Sequence, residues 1–230
     1  MSKQVFILLL LGFLAFIFLL TLNDLDVLYN DFGRTYFFEH GYEETGSRNL
    51  VTAIYLDYRL FDSLFEAGIL LIAVSGIIWI SQHDLDEPNA KFMLDRYKTP
   101  DLFITFSRLV YPLMLAFGFY VIVNGHLSPG GGFQGGAIVA TAILILYYID
   151  SEKETNIKAI VTVEKIVFFA IILIASISLI TRGTFFTNFF SLDASIDSKA
   201  IYLVLLNVLI GIKVALGLWT IFTAFLREGR

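Results

Sequence analysis

Apolar residues in this chain run in blocks too long for a globular core, separated by polar or glycine-rich intervals. Runs near 5–22, 61–80, 102–124, 133–149, 160–180 and 201–226 each approach the roughly 20 residues that cross a bilayer as a helix. The pattern predicts an all-α integral membrane protein with about six transmembrane helices. The first run follows Lys3 but is not trailed by a small-x-small cleavage site, so it reads as a retained anchor rather than a leader.

Two intervals are long. Asn23 to Arg59 carries Asp24, Asp26, Asp31, Glu39, Glu43 and Glu44, and its Asn49–Leu56 end has the pattern of a short amphipathic helix lying along the membrane before the second span, packed on a partner or on the interface. Ser81 to Asp101 is charged and bounded by Pro88 and Pro100, which disfavour helix at the preceding residues. The division expected is a two-helix module over 1–90, a linker over 91–101 and a four-helix domain over 102–230. Basic residues gather at Lys3, Lys91, Arg96, Lys98, Arg108, Lys153, Lys158, Arg227 and Arg230, on the side of the amino terminus, against Arg34, Arg48, Arg59, Arg182 and Lys199 opposite. That bias puts both termini in the cytoplasm of a multi-pass protein of the cell membrane.

Composition agrees with the pattern. The 230 residues are 57% hydrophobic, and the mean hydropathy is +0.76. Cysteine is absent, which removes disulfides, thiolate metal sites and iron–sulfur ligation, and His40, His83 and His126 are too scattered for a metal centre. No cofactor is expected. A net charge of −5 without a basic stripe excludes a nucleic-acid partner.

Charges inside the spans are the candidates for chemistry, because an ionisable group in hydrocarbon must pair or meet water. On a helix, Arg59, Asp62 and Glu66 fall on one face, with Glu66 inside the second span. That arrangement suits an ion or proton pathway, or alternatively an arginine-stabilised cluster at the interface. Lys213 lies near the middle of the last span, beside the small-residue pair Gly211 and Ala215. It requires a carboxylate or a wet cavity, in a functional or a purely structural ion pair. Glu164 and Lys165 open the fifth span, either as an anchored helix end or as part of a site. Arg108 and Arg182 mark span ends, and His126 reads as a capping or packing residue.

Leu127-Ser128-Pro129-Gly130-Gly131-Gly132-Phe133-Gln134-Gly135-Gly136 sits between the third and fourth spans. Irregular backbone at membrane depth costs several kcal/mol per unpaired amide unless a neighbour supplies partners. The bend is therefore expected to be buried in protein, with an adjacent subunit's helix lying against its small residues. Gly130, Gly132 and Gly135 spell a dinucleotide fingerprint, but that motif needs a short strand before it and a βαβ unit around it, and here long apolar helices flank it.

Ser107-Arg108-Leu109-Val110-Tyr111-Pro112, Asn124-Gly125-His126 and the glycine run, together with Asn207-Val208-Leu209-Ile210-Gly211-Ile212-Lys213-Val214-Ala215, resemble the B subunit of Mrp-type multisubunit sodium/proton antiporters over residues 100–230. Tyr58, Arg59, Asp62, Ser63, Leu64, Phe65 and Glu66 make residues 1–90 similar to the C-terminal tail of the Mrp A subunit, or to the E subunit of membrane-bound hydrogenases. The resemblance implies a subunit without covalent chemistry, working with other antiporter membrane subunits and membrane lipid on sodium ions and protons. It implies that Glu66 and Asp62 lie on the ion route and that Lys213 is the closing helix's intramembrane lysine. Two other roles stay open: an ion-translocating subunit of a redox-driven complex such as a membrane-bound hydrogenase, and a scaffold that touches no ions.

Overall fold

A computed structural model describes residues 3–23, 31–81, 100–149 and 156–228. Residues 91–99 of the expected linker lie outside the described residues. The chain forms two compact units, Met1–Glu39 and His40–Arg230, and the described residues are helical with no strand among them.

The first unit holds helix α1, Lys3–Asn23, and the opening turns of α2, Phe32–Thr45. Between Lys3 and Asn23 no side chain is charged, so α1 is apolar all round, as a helix in lipid requires. Its apolar stretch Ile7–Leu20 is shorter than the five spans that follow. Asp31 stands 4.0 Å from Arg34 at the start of α2.

The second unit continues with α3, Leu50–Ala53, which widens into a π-turn over Ile54–Tyr58. It then holds α4 (Leu60–Ser81), α5 (Asp101–Val123), α6 (Gly132–Ile149), α7 (Ile157–Arg182) and α8 (Ile196–Glu228). Helices α4 to α8 are long and apolar enough to cross a bilayer. The ends of α7 are set by specific residues: Asn156 Oδ1 accepts the Ala159 amide at 3.1 Å to start it, and Gly183, at φ 68°, closes it.

Helix α8 is the axis of the unit, packing against α4, α5, α6 and α7. Leu203, Leu206, Ile210 and Val214 recur at helical spacing and are buried with Leu56, Leu60, Leu64 and Ile171. Where lipid replaces water outside, close backbone approach takes over much of the work of the hydrophobic effect. A Cβ added to Gly136 would lie 2.7 Å from the Gly211 carbonyl of α8, and one on Gly135 would lie 2.8 Å from the Gly118 carbonyl of α5. The glycines of the run thus let α6 sit directly on two neighbouring backbones of its own chain. Gly132 to Gly136 are the first turn of α6 rather than part of the bend, and the helices pressed against them are α8 and α5 of this chain rather than that of an adjacent subunit.

Candidate functional site

Asn156 fixes the start of α7, so Glu164 falls about two turns into that helix, on the side facing α8. Lys213 is at the middle of α8, the most enclosed helix of the unit. Lys213 Nζ stands 3.2 Å from Glu164 Oε1, and both side chains are 0% exposed. Beyond that contact, no hydrogen-bond partner among the described residues reaches either carboxylate oxygen or the ammonium nitrogen. Gly217, one turn beyond Lys213, leaves the space that the carboxylate fills: a Cβ there would lie 3.0 Å from Glu164 Oε1 and 3.4 Å from Val74 Cγ2 of α4.

A pair desolvated this fully has only its own attraction to offset the loss of water, and removing one partner strands a buried charge. It has two states of similar composition, an ion pair and a neutral pair with the proton moved from Nζ to the carboxylate. Which one forms depends on any third charge that comes near.

Of the other residues singled out from sequence, Asp62 is exposed and lies 2.5 Å from Arg59, so the expected one-face pair forms at the head of α4. Glu66, one turn further, and Lys165, beside Glu164, are both exposed. The structure unites Glu164 with Lys213 and leaves Asp62, Glu66 and Lys165 on the surface of this chain. Glu164 is turned inward, away from the headgroup position an anchored helix end would take.

The bend from Gly125 to Gly131 finds its partners inside the chain. Asn49 Nδ2 donates to the carbonyls of Gly125 and Ser128, both at 2.9 Å, and Thr52 Oγ1 donates to the Gly125 carbonyl at 2.6 Å. The amides of Arg48 and Asn49 donate to the His126 carbonyl. Asn207 Oδ1 on α8 accepts both the Gly132 amide, at 2.7 Å, and the Tyr55 hydroxyl, at 2.6 Å. Gly131 has φ 143°, and a Cβ there would collide with the Tyr55 hydroxyl, so a side chain is excluded by backbone and space together. The 49–56 segment, expected on a partner or the membrane interface, is instead the lid of this bend. His126, held at Nδ1 near the Val123 carbonyl, has its basicity lowered by burial, as befits a packing residue.

A third polar group escapes a reading of the sequence. Asp57, in the π-turn, is buried, and its Oδ1 accepts the Asn188 amide at 2.8 Å. Asn188 Nδ2 donates to the Lys199 carbonyl, Arg182 donates to the Asn188 carbonyl, and Lys199 Nζ reaches the carbonyls of Glu43 and Leu192. Burial raises the Asp57 carboxyl to about 6, against the amide of Asn188 and the charges of Arg182 and Lys199, which draw it down. The available signal is a polar run, Asp57-Tyr58-Arg59, at the mouth of a span, and a lysine, Lys199, at the head of the last one. Among the described residues, no three His, Asp or Glu side chains gather as a metal site.

These features define a multi-pass helical membrane protein whose interior holds a desolvated acid–base pair. Residues 102–220 match the domain related to the MnhB subunit of Na+/H+ antiporters, and the chain belongs to that family. An uncharacterised protein of Methanocaldococcus jannaschii is 33% identical over 112 residues, 42% of each chain. The Na+/H+ antiporter B subunit of Bacillus subtilis is 43% identical over 54 residues, 23% of this chain and 38% of that one. The chain therefore spans less than half the length of these curated relatives. Among solved structures, a chain of the membrane-bound sulfane sulfur reductase, an archaeal respiratory membrane complex, superposes over 98% of this chain and 99% of its own, with TM-score 0.71 and 28% identity.

Proposed function

We propose that this chain is a membrane subunit of a multisubunit sodium/proton antiport assembly and that Glu164 and Lys213 form its proton-exchanging pair. The observation that carries the reading is the 3.2 Å contact between two wholly buried, oppositely charged groups at mid-depth of α8. A sodium ion approaching the carboxylate takes the place of the lysine's positive charge, and the ammonium then releases its proton; sodium departure reverses the step. Asp62, Glu66 and Lys165 lie where ions pass between this chain and its neighbours. Residues 1–90 act as the tail of an A-type subunit or its hydrogenase counterpart, both termini lie in the cytoplasm, and the chain carries out no covalent chemistry of its own.

The test is sodium-driven proton flux in proteoliposomes holding the purified complex. Glu164→Gln and Lys213→Met should each abolish exchange in complex recovered with its full set of subunits. Exchange at the unaltered rate in either variant would leave the pair a structural one and reduce the chain to a scaffold.

A second reading has its own support. Likeness along the whole chain to a subunit of a respiratory complex favours an ion-translocating subunit driven by redox chemistry elsewhere in the assembly. Iron–sulfur subunits among the co-purifying chains would decide for it; only hydrophobic subunits would decide for a stand-alone antiporter.

A further inference from the structure

The exposed side of α4 poses a problem that the chain does not solve. Leu60, Leu64, Ala67 and Val74 are buried on the inner face. The opposite face carries Asp62, Glu66, Ile69, Ala73 and Gly76, spaced four and three apart and all exposed. Asp62 is matched by Arg59. Glu66 lies six residues inside the helix, about 9 Å below its start, and forms no hydrogen bond or ion pair with any described residue. A glutamate side chain covers only part of that distance, and an isolated carboxylate facing lipid is disfavoured by several kcal/mol.

We infer that this face of α4 is the seam for a transmembrane helix of another subunit, one that carries a lysine, arginine or histidine at the depth of Glu66. Charge complementarity fixes the chemistry of that helix, because the carboxylate needs a cation. The chain's own α1 has no charged residue between Lys3 and Asn23 and supplies none. The lower half of the stripe is shaped for close approach. No described residue lies within 4 Å of a Cβ placed on Gly76, and Ala73 is one turn above it. The inference rests on the assembly reading and adds the docking face and the partner's charge.

The chain lacks cysteine, so Ala73→Cys, Gly76→Cys and, as an exposed control in the interior of α7, Leu173→Cys can be introduced singly into the purified complex. A nitroxide coupled to each thiol should be open to molecular oxygen at Leu173→Cys and shielded at the other two. Cross-linking from Ala73→Cys should capture a subunit whose adjoining span contains a basic residue. Glu66→Lys should lower recovery of that subunit about tenfold or more, the effect of opposing like charges in a seam. Oxygen access at Ala73→Cys and Gly76→Cys equal to the control's would overturn the inference, as would a cross-link to α1 or to a span without a basic residue, or undiminished recovery with Glu66→Lys. None of these results depends on flux through Glu164 and Lys213, so the seam and the exchange pair stand or fall separately.

Discussion

Asn207 Oδ1, on the buried side of α8, accepts the Gly132 amide at 2.7 Å and the Tyr55 hydroxyl at 2.6 Å. One side-chain oxygen thereby ties the first turn of α6 and the lid segment to the axis of the unit, joining positions 75 and 152 residues away in sequence. Replacement by leucine would leave a buried amide and a partly buried hydroxyl unmatched, at about 1–3 kcal/mol for the buried one and less for the other. Asn207→Leu should therefore melt well below the parent in detergent, while Asn207→Asp, which keeps the acceptor, should lose less. Equal losses for the two would mean that shape rather than hydrogen bonding sets the contact.

The Glu164–Lys213 pair predicts a non-additive pattern. Lys213→Met alone strands a carboxylate and should destabilise by about 3–5 kcal/mol, whereas adding Glu164→Gln should restore most of that stability. Flux should be lost in both the single and the double variant. Measuring thermal stability and exchange on the same preparations separates the two effects: recovered stability with absent exchange is the expected combination.

Packing around the pair should be sensitive at single methyl groups. Gly136→Ala sets a Cβ against the Gly211 carbonyl and should cost about 1–3 kcal/mol. Gly217→Ala crowds Glu164 Oε1 and should impair exchange more than it impairs folding. Gly68→Ala, whose nearest neighbour would be Phe168 Cζ at an ordinary 3.7 Å, serves as the tolerated control for both.

Asp57 gives the chain a pH dependence with a definite sign. Its carboxyl rises from 3.8 to about 6 on burial, so the folded state holds the proton more tightly. The resulting stability is present in full below pH 3.8 and is lost as pH rises through about 6. The interval amounts to about 3 kcal/mol. Melting temperature should fall between about pH 4 and about pH 6 in the parent, and Asp57→Asn should flatten that part of the profile. Deuterium exchange of the 184–195 segment, tied to Asp57 through Asn188, should follow the same curve.

Much of this is legible along the chain. The long apolar runs mark α4 to α8 within a few residues, because backbone amides in lipid must be satisfied inside the segment and helix is the local way to do it. The glycine run signals a bend that needs partners, and Lys213 signals a buried counter-charge. Where those partners lie is not legible. The pattern points the bend toward another subunit's helix and the 49–56 segment toward a partner or the membrane surface, although each serves the other within this chain.

Sequence by itself determined the class of protein, the helices and the residues that cannot be left alone in hydrocarbon, since each of these follows from composition over one helical length. Tertiary structure alone decided which of those residues meet. Glu164 and Lys213 stand far apart in sequence on different helices, and their pairing depends on α7 lying against α8 where Gly217 leaves room for a carboxylate. Asp57 likewise becomes a buried acid only because the segment after α7 folds back over it. Such contacts join distant parts of the chain through packing, and no local pattern of apolar and polar positions encodes them.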